Sequence, residues 1–188
     1  MGNLTSLGRV LGLWGLALGL AFISVKGQAA TDVTCLEGGC LVEGWQIVER
    51  SGGLKRSQVT CFAQDCEGEG WFHHNDQGLT DHFTRCLGRG CFLDGWEILS
   101  PSSGQPVGEV WCRQGQRSAT QSEDEESADC LRFGWEVFNR FGRLSHRVSC
   151  VGEDCRGRGW DVEIVGYGFQ TVRCKQGGCF QQGWTLRP

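Results

Sequence analysis

The chain has 188 residues, including 30 glycines, 12 cysteines, 8 tryptophans and one tyrosine, and carries a formal net charge of -4. That charge argues against nucleic acid as a partner. Aliphatic residues are few for this length, so the core is thin and needs covalent support, which an even number of cysteines can supply.

The first segment reads as a targeting signal. The amino terminus and Arg9 form a weakly positive start, Leu11 to Val25 is apolar or small, and Gly27-Gln28-Ala29-Ala30 offers a cleavage site. Residues 1–29 are therefore predicted to be a secretory signal peptide. The apolar run, about 15 residues, is short for a bilayer span. No lipobox precedes Cys35, and no membrane span is expected once the signal is removed. The remaining segment, 30–188, keeps 16 basic and 22 acidic residues, because only Arg9 and Lys26 are lost.

From residue 30 onward one unit of about 25 residues repeats six times. Its cysteines are Cys35 and Cys40, Cys61 and Cys66, Cys86 and Cys91, Cys112 and Cys130, Cys150 and Cys155, and Cys174 and Cys179. Five pairs enclose four residues and the fourth encloses seventeen. A Gly-Trp follows each pair, placing Trp45, Trp71, Trp96, Trp135, Trp160 and Trp184. Each complete unit then reads Trp-x-apolar, a turn, and Val-x-Cys, as in Trp45-Gln46-Ile47 followed by Val59-Thr60-Cys61. Alternation with period two about a glycine-containing turn predicts a β-hairpin. Trp, the residue two beyond it, Val and Cys share its buried face. The linking C-x4-C-x3-Gly segments read as too glycine-rich and polar for a helix.

The two ends of the repeat region are each half a hairpin. Thr31 to Cys35 is a Val-x-Cys strand without a first strand, and Trp184 to Pro188 is a Trp-x-apolar strand without a second. The fold class is all-β: six disulfide-stapled hairpin repeats. Three arrangements stay open: a closed toroid or propeller-like ring within one chain, a linear β-solenoid, and pairing of the ends between molecules. In the ring, Val33 would oppose Trp184.

Repeated Gly-Trp followed by a hairpin resembles the repeats of choline-binding modules of bacterial surface proteins. The resemblance covers those two features only. It would imply a second aromatic set caging a quaternary ammonium, which this chain does not supply regularly, and C-x4-C is foreign to that pattern.

Several residue sets could carry chemistry. In an exported chain the cysteines read as disulfides within each repeat, with zinc or iron–sulfur ligation and inter-repeat pairing as the rivals. The six tryptophans read as structural core, one per unit, with an accessible aromatic strip for glycans or cations as the rival. The second hairpin is unusual: His73 stands where other units have Ile47, Ile98, Val137 and Val162, and faces His82 across a Gln77-Gly78 turn. Two facing imidazoles are a candidate zinc or copper site. Arg117 to Asp129 is an acidic insertion whose five acids match no EF-hand spacing. No nucleophile elbow, metalloprotease helix or phosphate-binding loop is present, and no cofactor is implied.

The sequence thus predicts an exported, non-enzymatic structural or interaction protein, secreted or held in the periplasm or cell envelope. It would act as a subunit or scaffold of an envelope or extracellular assembly, with protein partners or self-association. The alternatives are a glycan- or small-ligand-binding module using aromatics between repeats, and a metal-binding protein using His73 and His82.

Overall fold

The computed structural model describes residues 31–49, 55–114 and 129–187. The expected signal peptide, and the acidic insertion apart from Asp129, lie outside the described residues.

Twelve antiparallel strands form one closed barrel in which each strand pairs with its neighbours in sequence. The strands are β1 (Thr31–Cys35), β2 (Gly44–Glu49), β3 (Lys55–Cys61), β4 (Gly70–His74), β5 (Thr80–Cys86), β6 (Trp96–Leu99), β7 (Pro106–Cys112), β8 (Trp135–Asn139), β9 (Leu144–Cys150), β10 (Trp160–Ile164), β11 (Gly168–Cys174) and β12 (Trp184–Arg187). The ring closes through β1 and β12, with Val33 opposite Trp184 and Thr31 opposite Leu186. Of the three arrangements compatible with the sequence, the intramolecular ring is the one formed. It is a single sheet rather than a set of blades, because hairpins also pair edge to edge, as β3 does with β4.

The invariant glycine of each Gly-Trp has a steric reason. At Gly44, Gly70, Gly95, Gly134, Gly159 and Gly183 the backbone has φ between 89° and 106°. A Cβ there would meet the carbonyl oxygen of the facing strand at 2.1–2.2 Å. Only glycine permits strands to approach that closely at the entry to each hairpin.

The following tryptophan turns inward. All six indoles are 0–1% exposed and form a closed circle around the barrel axis, with neighbouring centroids 5.5–6.1 Å apart and planes tilted by 54–60°. Among the described residues the N–H groups of Trp45, Trp96, Trp135, Trp160 and Trp184 meet no oxygen or nitrogen acceptor.

Six disulfides close the loops between hairpins, each within its own repeat, and there are no free cysteines. Such loops cap one end of the barrel. The backbone N–H of the second cysteine donates to the preceding cap at Cys40 (Phe180 O), Cys66 (Leu41 O), Cys91 (Glu67 O), Cys155 (Leu131 O) and Cys179 (Arg156 O), at 2.8–3.1 Å. Phe92 and Phe180 meet over the axis at 5.6 Å and stack on Trp71 and Trp160. Across the same end the Arg156 guanidinium donates to Glu67 at 2.9 Å. The residue after the second cysteine therefore runs Leu, Glu, Phe in the first three units and Leu, Arg, Phe in the last three, a pseudo-twofold plan.

The loops depart from expectation in one respect. Three contain a single helical turn: α1 (Cys91–Asp94), α2 (Cys130–Phe133) and α3 (Cys179–Gln182). Two others contain 3-10 turns at Phe62–Gln64 and Val151–Glu153. One turn needs no sustained propensity. It starts at a tethered cysteine and is stopped by the glycine before Trp, and in α2 Asp129 caps it by accepting from Leu131 N and Arg132 N.

Closure within one chain carries a direct test. Deleting residues 31–34 should lower stability by at least about 3 kcal/mol, since Val33 is buried and β2 and β12 both lose a partner. Light scattering should show an unchanged monomer mass at low concentration. A wild-type unfolding midpoint in the deletion variant would contradict the role of β1.

Candidate functional site

Two regions of the barrel depart from the repeat plan, one inside and one at the end opposite the caps. Inside, the layer below the tryptophans holds Ile47, Ile98, Val137, Val162 and Leu186 in five hairpins, and His73 in the sixth, where it pairs with His82. Thr84, opposite Trp71, stands where the other units place valine. The inner wall of the β4–β5 hairpin is thus polar from the tryptophan circle downward. His146, facing Val137, adds a third imidazole to the layer.

The His73 and His82 rings stack face to face, with centroids 4.8 Å apart and planes 16° from parallel. His73 Nδ1 lies 3.4 Å from an Asp81 carboxylate oxygen, while Nε2 of each ring has no hydrogen-bond partner. Burial holds all three imidazoles neutral: His73 is pushed down to about 4, with Asp81 partly opposing the shift, His82 to about 3, and His146 to about 4. Parallel stacking sets the nitrogen lone pairs of His73 and His82 side by side instead of converging them on a point. Among the described residues no group of three His, Cys, Asp or Glu side chains is placed to hold a metal ion. The cysteines are engaged in disulfides and offer no thiolate.

The second region is the rim formed by the hairpin turns. Asn75 Oδ1 accepts from Gln77 N and Leu79 N, and Asn139 Oδ1 accepts from Phe141 N and Arg143 N, so both turns are braced by an asparagine. In the next hairpin Tyr167 N donates to Ile164 O. These braced tips project large apolar side chains into solvent: Phe141 is 68% exposed, Tyr167 79%, Phe169 72% and Val165 42%. They belong to adjacent hairpins, because β9 pairs with β10. The Arg140 guanidinium lies 4.7 Å over the Phe141 ring. The two tips, 139–144 and 164–169, contain Arg140 and Arg143 and no acidic residue.

Charge is distributed along the barrel axis. In sequence, the six segments that run from the first cysteine of each pair to Gly-Trp hold 13 acidic and 7 basic residues. Among the described residues these segments hold 9 acidic and 6 basic, so the capped end is net negative, and the aromatic tips at the opposite end are cationic.

Comparison with known proteins gives no match: no family model, no curated protein and no solved structure is similar to this chain.

The structure brings the sequence-predicted residues together as follows. The twelve cysteines line the capped end, the six Gly-Trp tryptophans form the interior circle, and His73 and His82 meet inside the wall. His146 joins the interior layer and was not singled out by sequence, since it is isolated from the other histidines along the chain. The rim aromatics were also missed. Their signal was available: Phe141 and Tyr167 occupy turns where other hairpins have Gln77-Gly78 or Ser102-Ser103-Gly104.

Proposed function

We propose that this chain is an exported, non-catalytic interaction protein of the cell envelope or extracellular space. It acts as a rigid barrel that presents its rim to a partner. One observation carries the reading: the structure consumes all six repeat tryptophans in its interior, yet leaves Phe141, Tyr167 and Phe169 exposed on neighbouring tips. Exposed, clustered aromatics on braced turns cost solubility and signify contact. Six disulfides fit an oxidising compartment, which supports export. A glycan site built from the tryptophans between repeats lacks an accessible ring at those positions.

A photo-crosslinking residue placed at Tyr167 or Phe141 should trap adducts in the native setting, and the same residue at Glu43 in the cap should not. Adducts from the cap position alone would overturn the assignment of the rim as the contact surface.

A further inference from the structure

We propose that the rim docks on a lipid bilayer with anionic headgroups, so that the barrel stands on the membrane with its disulfide caps pointing away. This rests on the reading of the rim as the contact surface and names its partner.

Three observations converge on it. The first is chemical. The β8–β9 and β10–β11 tips combine exposed Phe141, Val165, Tyr167 and Phe169 with Arg140 and Arg143; the acid opposite Phe169, Glu163, is paired with Arg147, and Asp76 lies apart in the β4–β5 turn. Aromatic rings with a polar edge, apolar side chains and arginines are the side chains that favour the boundary between headgroups and acyl chains. The tips are hairpin turns, which project from the barrel and can enter that boundary without exposing unpaired strand edges, because the barrel has none.

The second is the route of the chain. Strand β1 starts at Thr31, paired with Leu186 near the end of β12 and with Glu49 at the end of β2, so the polypeptide reaches the barrel at the rim. The apolar run that ends at Val25 is only a few residues upstream, a reach of roughly 20 Å when extended. Until cleavage at the predicted site near Ala29 or Ala30, engagement of that run with the export membrane brings the rim to the lipid first.

The third is electrostatic. An anionic surface attracts cationic tips and repels cap segments whose described residues include 9 acidic against 6 basic. Both effects select the same orientation.

The barrel closes through strands that lie between residues 31 and 187. The test therefore uses the chain from residue 30 onward, made by export so that its disulfides form, which removes the apolar run as a competing anchor. Flotation with phosphatidylcholine vesicles and with phosphatidylcholine/phosphatidylglycerol vesicles should show at least about tenfold more protein on the anionic membranes, the effect of two surface arginines. The triple variant F141S/Y167S/F169S should lose about tenfold or more on those membranes. R140Q/R143Q should lower binding to the level seen with phosphatidylcholine alone. W111S, which removes an exposed aromatic next to Cys112 and the caps, should bind like wild type. Wild-type unfolding midpoints for the rim variants will show that the barrel is intact. Wild-type protein that stays unbound with both vesicle types, or a triple variant that floats normally, overturns the lipid assignment. If vesicles fail while the rim crosslinks a protein in the native setting, the interaction reading stands and the lipid partner falls.

Discussion

Replacing Trp96 with alanine should destabilise the barrel by about 3–5 kcal/mol, the range for a fully buried large aromatic. Trp96 is 0% exposed and touches Trp71, Trp135 and Phe92, with centroids 5.7, 6.1 and 5.9 Å away. Its loss leaves a cavity beside the axis, where a rigid sheet held by six disulfides collapses poorly. Each indole also packs at a tilt against both neighbours, so two ring contacts of the circle vanish together. Trp111 supplies the comparison: it lies on the outer wall, 49% exposed, and W111A should change stability by no more than about 0.5 kcal/mol. Guanidinium titration under non-reducing conditions would compare them. Equal losses in the two variants would mean that the circle is not the core of the fold.

The repeat was legible because its constraints are local and recur six times. Cysteine spacing, Gly-Trp and Val-x-Cys each belong to one unit, and alternation fixed which side chains share a face. The registers Trp45 with Val59, His73 with His82 and Val33 with Trp184 follow from that alternation and appear in the structure. Whether the half-hairpins at the ends meet was not legible. That depends on how twist and stagger accumulate over all twelve strands, which no single unit encodes. The helical turns at Cys91, Cys130 and Cys179 were hidden for a related reason, because a tethered start and a glycine stop replace propensity there. The rim was overlooked because turn residues vary among the units, and a search for regularity passes over Phe141 and Tyr167. Its meaning depends on β9 lying beside β10, a contact between hairpins.

Acid should unfold this protein mainly through three buried histidines. His73, His82 and His146 are held neutral in the barrel, down to about 4, 3 and 4 from an ordinary value of 6.5. The unfolded chain binds protons at these rings as pH drops through about 6.5, and the native barrel does not until near pH 4 or below. Stability is therefore full above about pH 7, falls between pH 6.5 and 4, and levels off once the native rings also protonate. All three imidazoles contribute to that loss, because each takes up its proton at a lower pH in the barrel than in the unfolded chain. Surface ion pairs such as Arg89 with Asp94 are exposed and screened, and protonate lower. The double variant H73V/H82V by its first change matches the aliphatic residues of the other hairpins, such as Val162 and Ile98, and by its second puts an apolar side chain at the facing position, which elsewhere holds Ser57, Gly108, His146, Gln170 or Thr31. It also removes buried nitrogens that lack partners. It should match or exceed wild-type stability at pH 7 and keep more of it at pH 5, flattening the profile to the contribution of His146. Denaturant midpoints measured from pH 4 to pH 8 decide the matter. A double variant with the same slope as wild type would place the acid sensitivity in the carboxylates instead of the interior of the β4–β5 hairpin.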